Sequence, residues 1–290
     1  MSEENVKAGC ASCGVAVIDD IKLTKCTDCD LVQYCSDACQ KEHNSQHQQE
    51  CKKRAAELRD ELLFKQPEST HLGDCPICMI PMPLDFQKYG TSSCCSKKIC
   101  NGCNYANQMR EAEKKLQHSC PFCRKPVPFT KGQGDKQFLK RIAANDPVGM
   151  HVKGIQQYLK GDYRSAFEYY TKAAELGDAA AQYELGRLYE SGKGVEKDEG
   201  KAIHFLEEAA IGGHPNARNR LGLIEWDNGN TERALKHFFI AAKLGENDSI
   251  KVLMDAFRNG LVSKDDLASA LRAHQAAVDA TKSLQRDIAP

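Results

Sequence analysis

The chain has 290 residues with 40 basic and 40 acidic side chains, so its formal net charge is zero. This length is enough for two or three domains. No run of about 18 apolar residues occurs, and the first residues lack a basic-then-apolar leader, which argues against a membrane span and a secretory signal. The 15 cysteines therefore indicate metal binding in a reducing compartment rather than a disulfide framework. We expect an intracellular protein, in the cytoplasm or the nucleus.

Every cysteine falls into one of two modules near the N-terminus. Closely spaced pairs are typical of zinc ligands, and a closed zinc site takes four of them. Seven cysteines with one histidine, and then eight cysteines, make sixteen donors, so the sequence predicts about four Zn²⁺ ions per chain. Modules this small cannot bury enough apolar area on their own, and we expect the metal to hold them folded. The first module, residues 10–51, carries Cys10-x2-Cys13, Cys26-x2-Cys29, Cys35-x3-Cys39 and His47-x3-Cys51. The second module, residues 75–124, carries Cys75-x2-Cys78, Cys94-Cys95, Cys100-x2-Cys103 and Cys120-x2-Cys123.

The first module resembles a MYND-type zinc finger. The resemblance rests on the ligand pairs and on Tyr34-Cys35-Ser36 and Cys39-Gln40-Lys41. It implies interleaved ligand sets and a short proline-containing peptide as the binding partner. One zinc would be held by Cys10, Cys13, Cys35 and Cys39, and a second by Cys26, Cys29, His47 and Cys51. His43 is an alternative to His47, and its other interpretation is a surface histidine on a short helix.

Residues 52–74 are predicted to be a helical linker, and the module that follows resembles a RING finger. Cys75-Pro76-Ile77-Cys78 and Cys120-Pro121-Phe122-Cys123-Arg124 carry this resemblance, whereas the middle lacks the usual histidine. The cross-brace pairing that it implies has only cysteine ligands. His118 is the nearest spare donor if one of the adjacent cysteines does not bind, and its other interpretation is an exposed loop residue. The implied sets are Cys75, Cys78, Cys100 and Cys103 on one ion and Cys94, Cys95, Cys120 and Cys123 on the other.

A RING finger of the ligase type binds a ubiquitin-conjugating enzyme and performs no covalent chemistry itself. The resemblance implies that Ile77 and Pro121 form the docking surface and that Arg124 is the linchpin donor. The alternative is that the first two pack the zinc knuckles and that Arg124 is a solvated charge. The sequence shows no covalent catalytic motif, so enzymatic activity would be that of a RING-type ubiquitin ligase.

Residues 125–141 are predicted to be a linker, because prolines and glycines recur in them. Residues 96–141 contain eleven basic and three acidic side chains, which makes nucleic acid a third class of partner. Aromatic residues are not interleaved with the basic ones, as a base-stacking surface would require. We therefore expect the basic residues to offset the negative charge of the zinc thiolates.

Residues 142–280 carry an internal repeat. Ala166, Ala202 and Ala234 are spaced by 36 and 32 residues, and Gly177, Gly213 and Gly245 follow in step. Each unit is predicted to form two helices with a left-handed glycine after the second. Residues 181–213 resemble the SEL subclass of tetratricopeptide-like repeats, which implies a right-handed helical solenoid that binds proteins.

The predicted fold class is therefore multidomain. Two small, irregular α+β modules stabilised by zinc precede an all-α solenoid of about four helix pairs. The predicted function is that of a zinc-binding adaptor that contacts proteins or peptides. Ubiquitin ligation, with substrate recruited by the repeats, is the alternative.

Overall fold

A computed structural model describes residues 10–14 and 23–289 of the chain. These residues divide into two compact units, Met1–Lys65 and Gln66–Pro290. In the first unit, strands β1 (Thr24–Lys25) and β2 (Gln33–Tyr34) form an antiparallel pair. Helix α1 (Asp37–Leu63) follows and is capped by Ser36, whose side chain accepts a hydrogen bond from the backbone N–H of Cys39.

Helix α1 begins inside the first module and runs without a break into the predicted helical linker. Residues 37–63 contain neither proline nor glycine, so nothing in this stretch interrupts the backbone hydrogen bonds of the helix. One helix therefore carries Cys39, His47 and Cys51. The last two residues lie four positions apart, which places them on the same face.

The second unit begins with the predicted RING-like module. A short 3₁₀ helix (Phe86–Lys88) leads into strand β3 (Tyr89–Thr91), which pairs antiparallel with β4 (Lys98–Cys100). Helix α2 (Asn101–Glu113) follows directly. Buried Met82 and Ile99 pack among the cysteines, so the small core of this module is built around the metal ligands.

The segment predicted to be a linker between the zinc modules and the repeats contains a helix, α3 (Lys131–Ala143). Thr130 caps its start, and the side chain of Gln133 bonds back to the backbone of the cap residue. Such a capping box satisfies free N–H groups at the first turn and stabilises a helix despite the glycines there.

The repeat region forms four consecutive helix pairs, and the small residues of the repeat lie in its core. Ala166, Ala202 and Ala234 are at most 1% exposed. The backbone of Gly177 has a φ of +82°, which confirms the left-handed residue predicted after the second helix of that repeat. The eight helices are α4 (Pro147–Leu159), α5 (Tyr163–Glu175), α6 (Ala179–Ser191), α7 (Glu199–Ile211), α8 (Pro215–Asp227), α9 (Thr231–Lys243), α10 (Asn247–Arg258) and α11 (Lys264–Ala280).

A last short helix, α12 (Leu284–Asp287), contacts α2 of the zinc-binding module. In the part of the chain that the structure describes, no helix combines the length and the apolarity that a membrane span requires.

The second zinc-binding module, together with the segment just before it, contacts the solenoid beside two of the turns that precede the first helix of a pair. Near the turn before α4, the side chain of Arg141 donates to the Ser96 hydroxyl over 3.3 Å. At the turn before α8, the backbone N–H of His71 donates to the Gly213 carbonyl over 3.0 Å. There the ring of His71 also stacks on the ring of His214, with 4.0 Å between their centroids. This module and the solenoid are therefore parts of one compact unit.

Candidate metal centres

The structure gathers the sixteen predicted donors into four separate clusters, each of which could hold a metal ion. Within each cluster, the ligand atoms all lie within 4.8 Å of one another. Cluster 1 comprises Cys10, Cys13, Cys35 and Cys39, and cluster 2 comprises Cys26, Cys29, His47 and Cys51. Cluster 3 comprises Cys75, Cys78, Cys100 and Cys103, and cluster 4 comprises Cys94, Cys95, Cys120 and Cys123.

The spacing of the sulfur atoms fits a tetrahedral zinc ion. Zinc–sulfur bonds of about 2.3 Å in a tetrahedron place two sulfurs about 3.8 Å apart. The Sγ atoms of Cys13 and Cys35 in cluster 1 are 3.6 Å apart. In cluster 3, the Sγ atoms of Cys78 and Cys100 are 3.9 Å apart. These separations far exceed a disulfide bond of about 2.05 Å, and all fifteen cysteines are free.

Tight backbone turns hold together the two cysteines of the knuckles that begin at Cys10, Cys26, Cys75 and Cys120. In these turns, the N–H of the residue four positions on donates to the carbonyl of the first cysteine, as from Met79 to Cys75 over 2.9 Å and from Arg124 to Cys120 over 2.9 Å. Met79 and Arg124 adopt left-handed backbone conformations with φ near 60°. This conformation reverses the chain within one turn, which points both sulfurs of a knuckle toward one place.

The adjacent residues Cys94 and Cys95 are positioned by a turn of the same kind. The N–H of Ser96 donates to the Ser92 carbonyl over 2.7 Å, and Ser96 has a φ of 57°. The Sγ of Cys94 lies 3.3 Å from that of Cys123, and the Sγ of Cys95 lies 3.9 Å from that of Cys120. Two consecutive cysteines can therefore face one ion, because the backbone turns sharply at this point.

The structure distinguishes the two candidate histidines of the first module. His47 lies in cluster 2, with its Nε2 atom 3.1 Å from the Sγ of Cys29. His43 lies outside the cluster, and its Nδ1 atom is 3.1 Å from the hydroxyl of Tyr34. His47 thus lies beside the cluster 2 thiols, whereas His43 has a partner of its own.

The electrostatics of the thiols show why a cation suits these clusters. Hydrogen bonds from the backbone of Cys13 and Cys35 lower the pKa of the Cys10 thiol to about 6. Hydrogen bonding with Cys39 and other neighbouring thiols raises the pKa of Cys35 to about 12. In cluster 2, burial and the neighbouring thiols raise the pKa of Cys51 to about 12. One thiol in cluster 1 therefore ionises readily while Cys35 resists, and a bound divalent cation would supply the charge that lets them all ionise.

The donor set, its spacing and its electrostatics all fit zinc. The clusters have four protein ligands each, so Zn²⁺ would be structural in them and would supply folding free energy.

His118, the spare donor considered for the second module, has a different partner. Its Nδ1 atom lies 2.8 Å from a carboxylate oxygen of Glu111 on α2. The same buried carboxylate accepts a 2.5 Å hydrogen bond from the Ser119 hydroxyl. Although burial opposes ionisation, the bonds from Ser119 and His118 lower the pKa of Glu111 to about 2. This ionised side chain joins α2 to the segment before Cys120, and no motif in the sequence predicts it.

The three residues predicted to dock a ubiquitin-conjugating enzyme have different surroundings. The side chain of Ile77 is 41% exposed. Pro121 is buried, and the exposed Arg124 donates to the side-chain oxygen of Asn107 over 2.8 Å.

Comparisons with known families match two parts of the chain. The model described as MYND finger matches residues 10–51, and the MYND finger binds zinc. The model described as Sel1 repeat matches residues 149–178, 179–214 and 215–246. Both modules mediate protein interactions.

Curated relatives share part of the chain. "DAP3-binding cell death enhancer 1" of Rattus norvegicus is 27% identical over 168 residues, which are 44% of this chain and 33% of that protein. The Mus musculus protein of the same name is 29% identical over 170 residues, 45% of this chain and 33% of that one. "Chitin synthase regulatory factor 4" of Schizosaccharomyces pombe is 33% identical over 135 residues, 44% of this chain and 21% of that one. The chain thus spans a third or less of the length of these relatives.

Among solved structures, a Sel1 repeat protein from Oxalobacter formigenes has a TM-score of 0.46 and 23% identity, covering 60% of this chain and 71% of that one. The family models identify two regions of the chain, and clusters 1 and 2 lie in the first of them. Residues 10–51 are a MYND zinc finger, and residues 149–246 are three Sel1 repeats.

Proposed function

We propose that this protein is an intracellular, zinc-dependent adaptor that binds one partner through its MYND finger and another through its Sel1 solenoid. Four-ligand clusters with free thiols require a reducing compartment, which supports the intracellular location. Relatives named for binding DAP3 and for regulating chitin synthase support a role in contacting other proteins.

The observation that carries this proposal is that the zinc-binding module contacts the solenoid at one end of the repeat helices, while a second surface lies at their other end. Ser96 of the second zinc-binding module and His71, just before that module, contact the solenoid beside the turns before α4 and α8. The opposite ends of the first helices in each pair lie about 20 Å away, since a helix of 13 residues rises about 1.5 Å per residue. Those ends carry a second surface, which we call the basic–aromatic surface.

The basic–aromatic surface has the side chains that dominate protein recognition. A cavity of about 270 Å³ there is lined by Tyr158, Arg187, Lys193 and Arg220, with Glu190 as its acidic member. The ammonium group of Lys193 lies 5.8 Å from the ring centre of Tyr158. Tyrosine and arginine are enriched among residues that contribute most to binding. Arg220 pairs with Glu190 over 2.7 Å and Arg187 with Glu184 over 3.2 Å. The attraction that we expect for an acidic partner segment therefore rests on Lys193.

For the MYND finger, we propose a short proline-containing peptide as the ligand. A peptide library displayed on phage and selected against the zinc-loaded full chain tests both sites. We expect a proline-containing class that Cys29→Ala abolishes, and an acidic class that Lys193→Glu weakens at least about tenfold, which corresponds to about 1.4 kcal/mol.

Lys172→Glu is the matched control for the solenoid, because it makes the same charge change at an exposed position on α5. It should leave both peptide classes bound. Selection of no peptide whose binding depends on Cys29 or Lys193 would contradict the proposal.

Ubiquitin ligation is a second candidate function, favoured by the cross-brace membership of clusters 3 and 4 and by the exposure of Ile77. We place it second because Pro121 is buried and Arg124 already bonds Asn107. An autoubiquitination assay with a panel of conjugating enzymes decides it. Activity that Cys75→Ala and Arg124→Ala both abolish would support a ligase, and inactivity across the panel would leave the adaptor role.

A further inference from the structure

Arg286, close to the end of the chain, contacts a metal cluster more than 180 residues away in sequence. Its Nη2 atom donates to the Sγ of Cys78 over 3.4 Å and to the Ile80 carbonyl over 2.9 Å. Its Nη1 atom donates to the Pro81 carbonyl over 2.6 Å. The guanidinium group therefore bonds both a predicted zinc ligand and the backbone immediately after that knuckle.

The backbone around Arg286 is closely fitted to the other half of cluster 3. At Gly102, between Cys100 and Cys103, an added Cβ would lie 2.7 Å from the Gln285 carbonyl oxygen and 2.9 Å from the Arg286 Cα. The side chain of Gln285 donates to the Gly102 carbonyl over 3.3 Å. Residues 283–289 thus contact both sequence segments that supply the four sulfurs of this cluster.

Arg286 can stabilise a zinc–thiolate centre in two ways. Four thiolates around one Zn²⁺ leave a net charge of about −2, and a partly buried negative centre is stabilised by a nearby cation. Hydrogen bonds to ligand atoms also fix ligand orientation, and loss of such an outer partner typically lowers metal affinity by roughly 10–100-fold. Arginine suits this position, because its planar fork can reach a sulfur and neighbouring carbonyl oxygens at the same time.

We propose that Arg286 is a positioning residue for the metal in cluster 3, and that residues 283–289 are a structural part of that site. The affinity of cluster 3 for zinc then depends on a segment that follows the last helix of the solenoid. This proposal requires zinc in cluster 3 and no partner protein. Its test therefore does not depend on the adaptor proposal.

Site-resolved alkylation of the zinc-loaded full chain tests this inference. N-ethylmaleimide labelling followed by peptide mass spectrometry gives a rate for each cysteine, and bound zinc protects its ligands. We expect Arg286→Ala to speed labelling of the cluster 3 cysteines by roughly 10–100-fold, while the cysteines of clusters 1 and 2 keep their rates. Arg286→Lys should give an intermediate rate, since lysine keeps the charge and loses the fork.

Lys282→Ala is the matched control. Lys282 is an exposed basic residue four positions earlier, and its ammonium group pairs with Asp279 over 2.7 Å. This change should leave every labelling rate as it is in the unsubstituted chain.

Gly102→Ala tests the inference without changing Arg286. Alanine favours a helix at this position, but its Cβ would displace residues 285 and 286. It should therefore speed labelling of cluster 3, as Arg286→Ala does. In a chain that ends at Lys282, the same substitution should add nothing further, because the segment it displaces is gone.

Three results would overturn the inference. One is unchanged labelling of cluster 3 in both Arg286→Ala and Gly102→Ala. Another is equal acceleration at clusters 3 and 4, which would show general loosening of the module. The third is an undiminished effect of Gly102→Ala in the shortened chain, which would place its cause within α2.

Discussion

Leu206 on α7 occupies the space beside Gly186 on α6, where a Cβ atom would lie 2.8 Å from the Leu206 Cγ. The same relationship recurs in the neighbouring repeats, with Gly154 against Tyr170 and Gly222 against Phe238. The repeated glycine thus makes room for one large side chain of the paired helix, which brings the two helices of each repeat close together.

Gly186→Ala should destabilise the solenoid. Its methyl group would overlap Leu206, and overpacking of a fitted core costs about 1–3 kcal/mol. Urea unfolding followed by circular dichroism at 222 nm should show a lower midpoint for this variant.

Gly200→Ala in α7 is the control for that change. The nearest atom to a Cβ at this position is an Asp198 carboxylate oxygen at 3.5 Å. The unfolded chain loses freedom on this substitution, so we expect a neutral effect or a gain of up to about 1 kcal/mol. A Gly186→Ala midpoint equal to or above that of the unsubstituted chain would show that the close approach has no energetic consequence.

The stability of the second unit should fall in mild acid because of His71. Burial and the positive charge of Lys98 lower the pKa of its imidazole to about 3. A histidine in an unfolded chain has a pKa of about 6.5. Between these two values the unfolded state binds a proton that the folded state does not. The free energy of unfolding therefore decreases as pH falls from about 6.5 to about 3, by at most about 1.4 kcal/mol per pH unit for this group.

His71→Phe should flatten that pH dependence, since phenylalanine preserves a ring against His214 and cannot titrate. Other groups, including His151, His214 and the thiols, titrate in both proteins. The difference between the two curves therefore reports His71 together with its charge repulsion on His214. His204→Gln, at an exposed position on α7, should keep the original slope. Parallel curves for His71→Phe and the unsubstituted chain would exclude this role.

Glu111→Ala should weaken the second zinc-binding module. The variant leaves the Ser119 hydroxyl and N–H without the carboxylate that accepts their bonds at 2.5 and 3.3 Å. Unpaired buried donors cost about 1–3 kcal/mol, and because Ser119 is half-buried we expect a loss near the lower end of that range. Thermal unfolding should show the loss, whereas Glu113→Ala, at an exposed position on the same helix, should change little. Equal unfolding temperatures for these two variants would be evidence that the Glu111 hydrogen bonds do not stabilise the module.

Removal of metal should affect the two kinds of domain differently. The Sel1 solenoid buries its own apolar core, whereas the zinc modules depend on their clusters. We expect that a strong chelator unfolds α2 and the strands, while most of the helical circular dichroism signal remains. A single transition that removes all helical signal would contradict this division.

The ligand clusters could be predicted from the sequence because short-range geometry decides them. A pair of cysteines separated by two residues forms one tight turn, and the family resemblances supplied the interleaving. Repeated alanines and glycines predicted the helix pairs for a similar reason, since each position has the same neighbour in every repeat.

Other features depend on contacts that spacing does not reveal. Helix α3 was missed because the prolines and glycines suggested a linker, whereas the reciprocal bonds of Thr130 and Gln133 start a helix there. The bond from Arg286 to Cys78 joins residues 208 positions apart, and no local pattern marks it. The packing of His71 on His214 likewise follows from the tertiary fold alone.

We infer that sulfur and imidazole ligands around zinc hold the N-terminal modules folded. Inductively coupled plasma mass spectrometry on the purified chain, with thiol titration after denaturation and chelation, measures both the metal and the thiols. We predict about four zinc ions and 15 free thiols per chain. A chain that is compact, free of zinc and cross-linked by disulfides would show instead that zinc does not hold these modules folded.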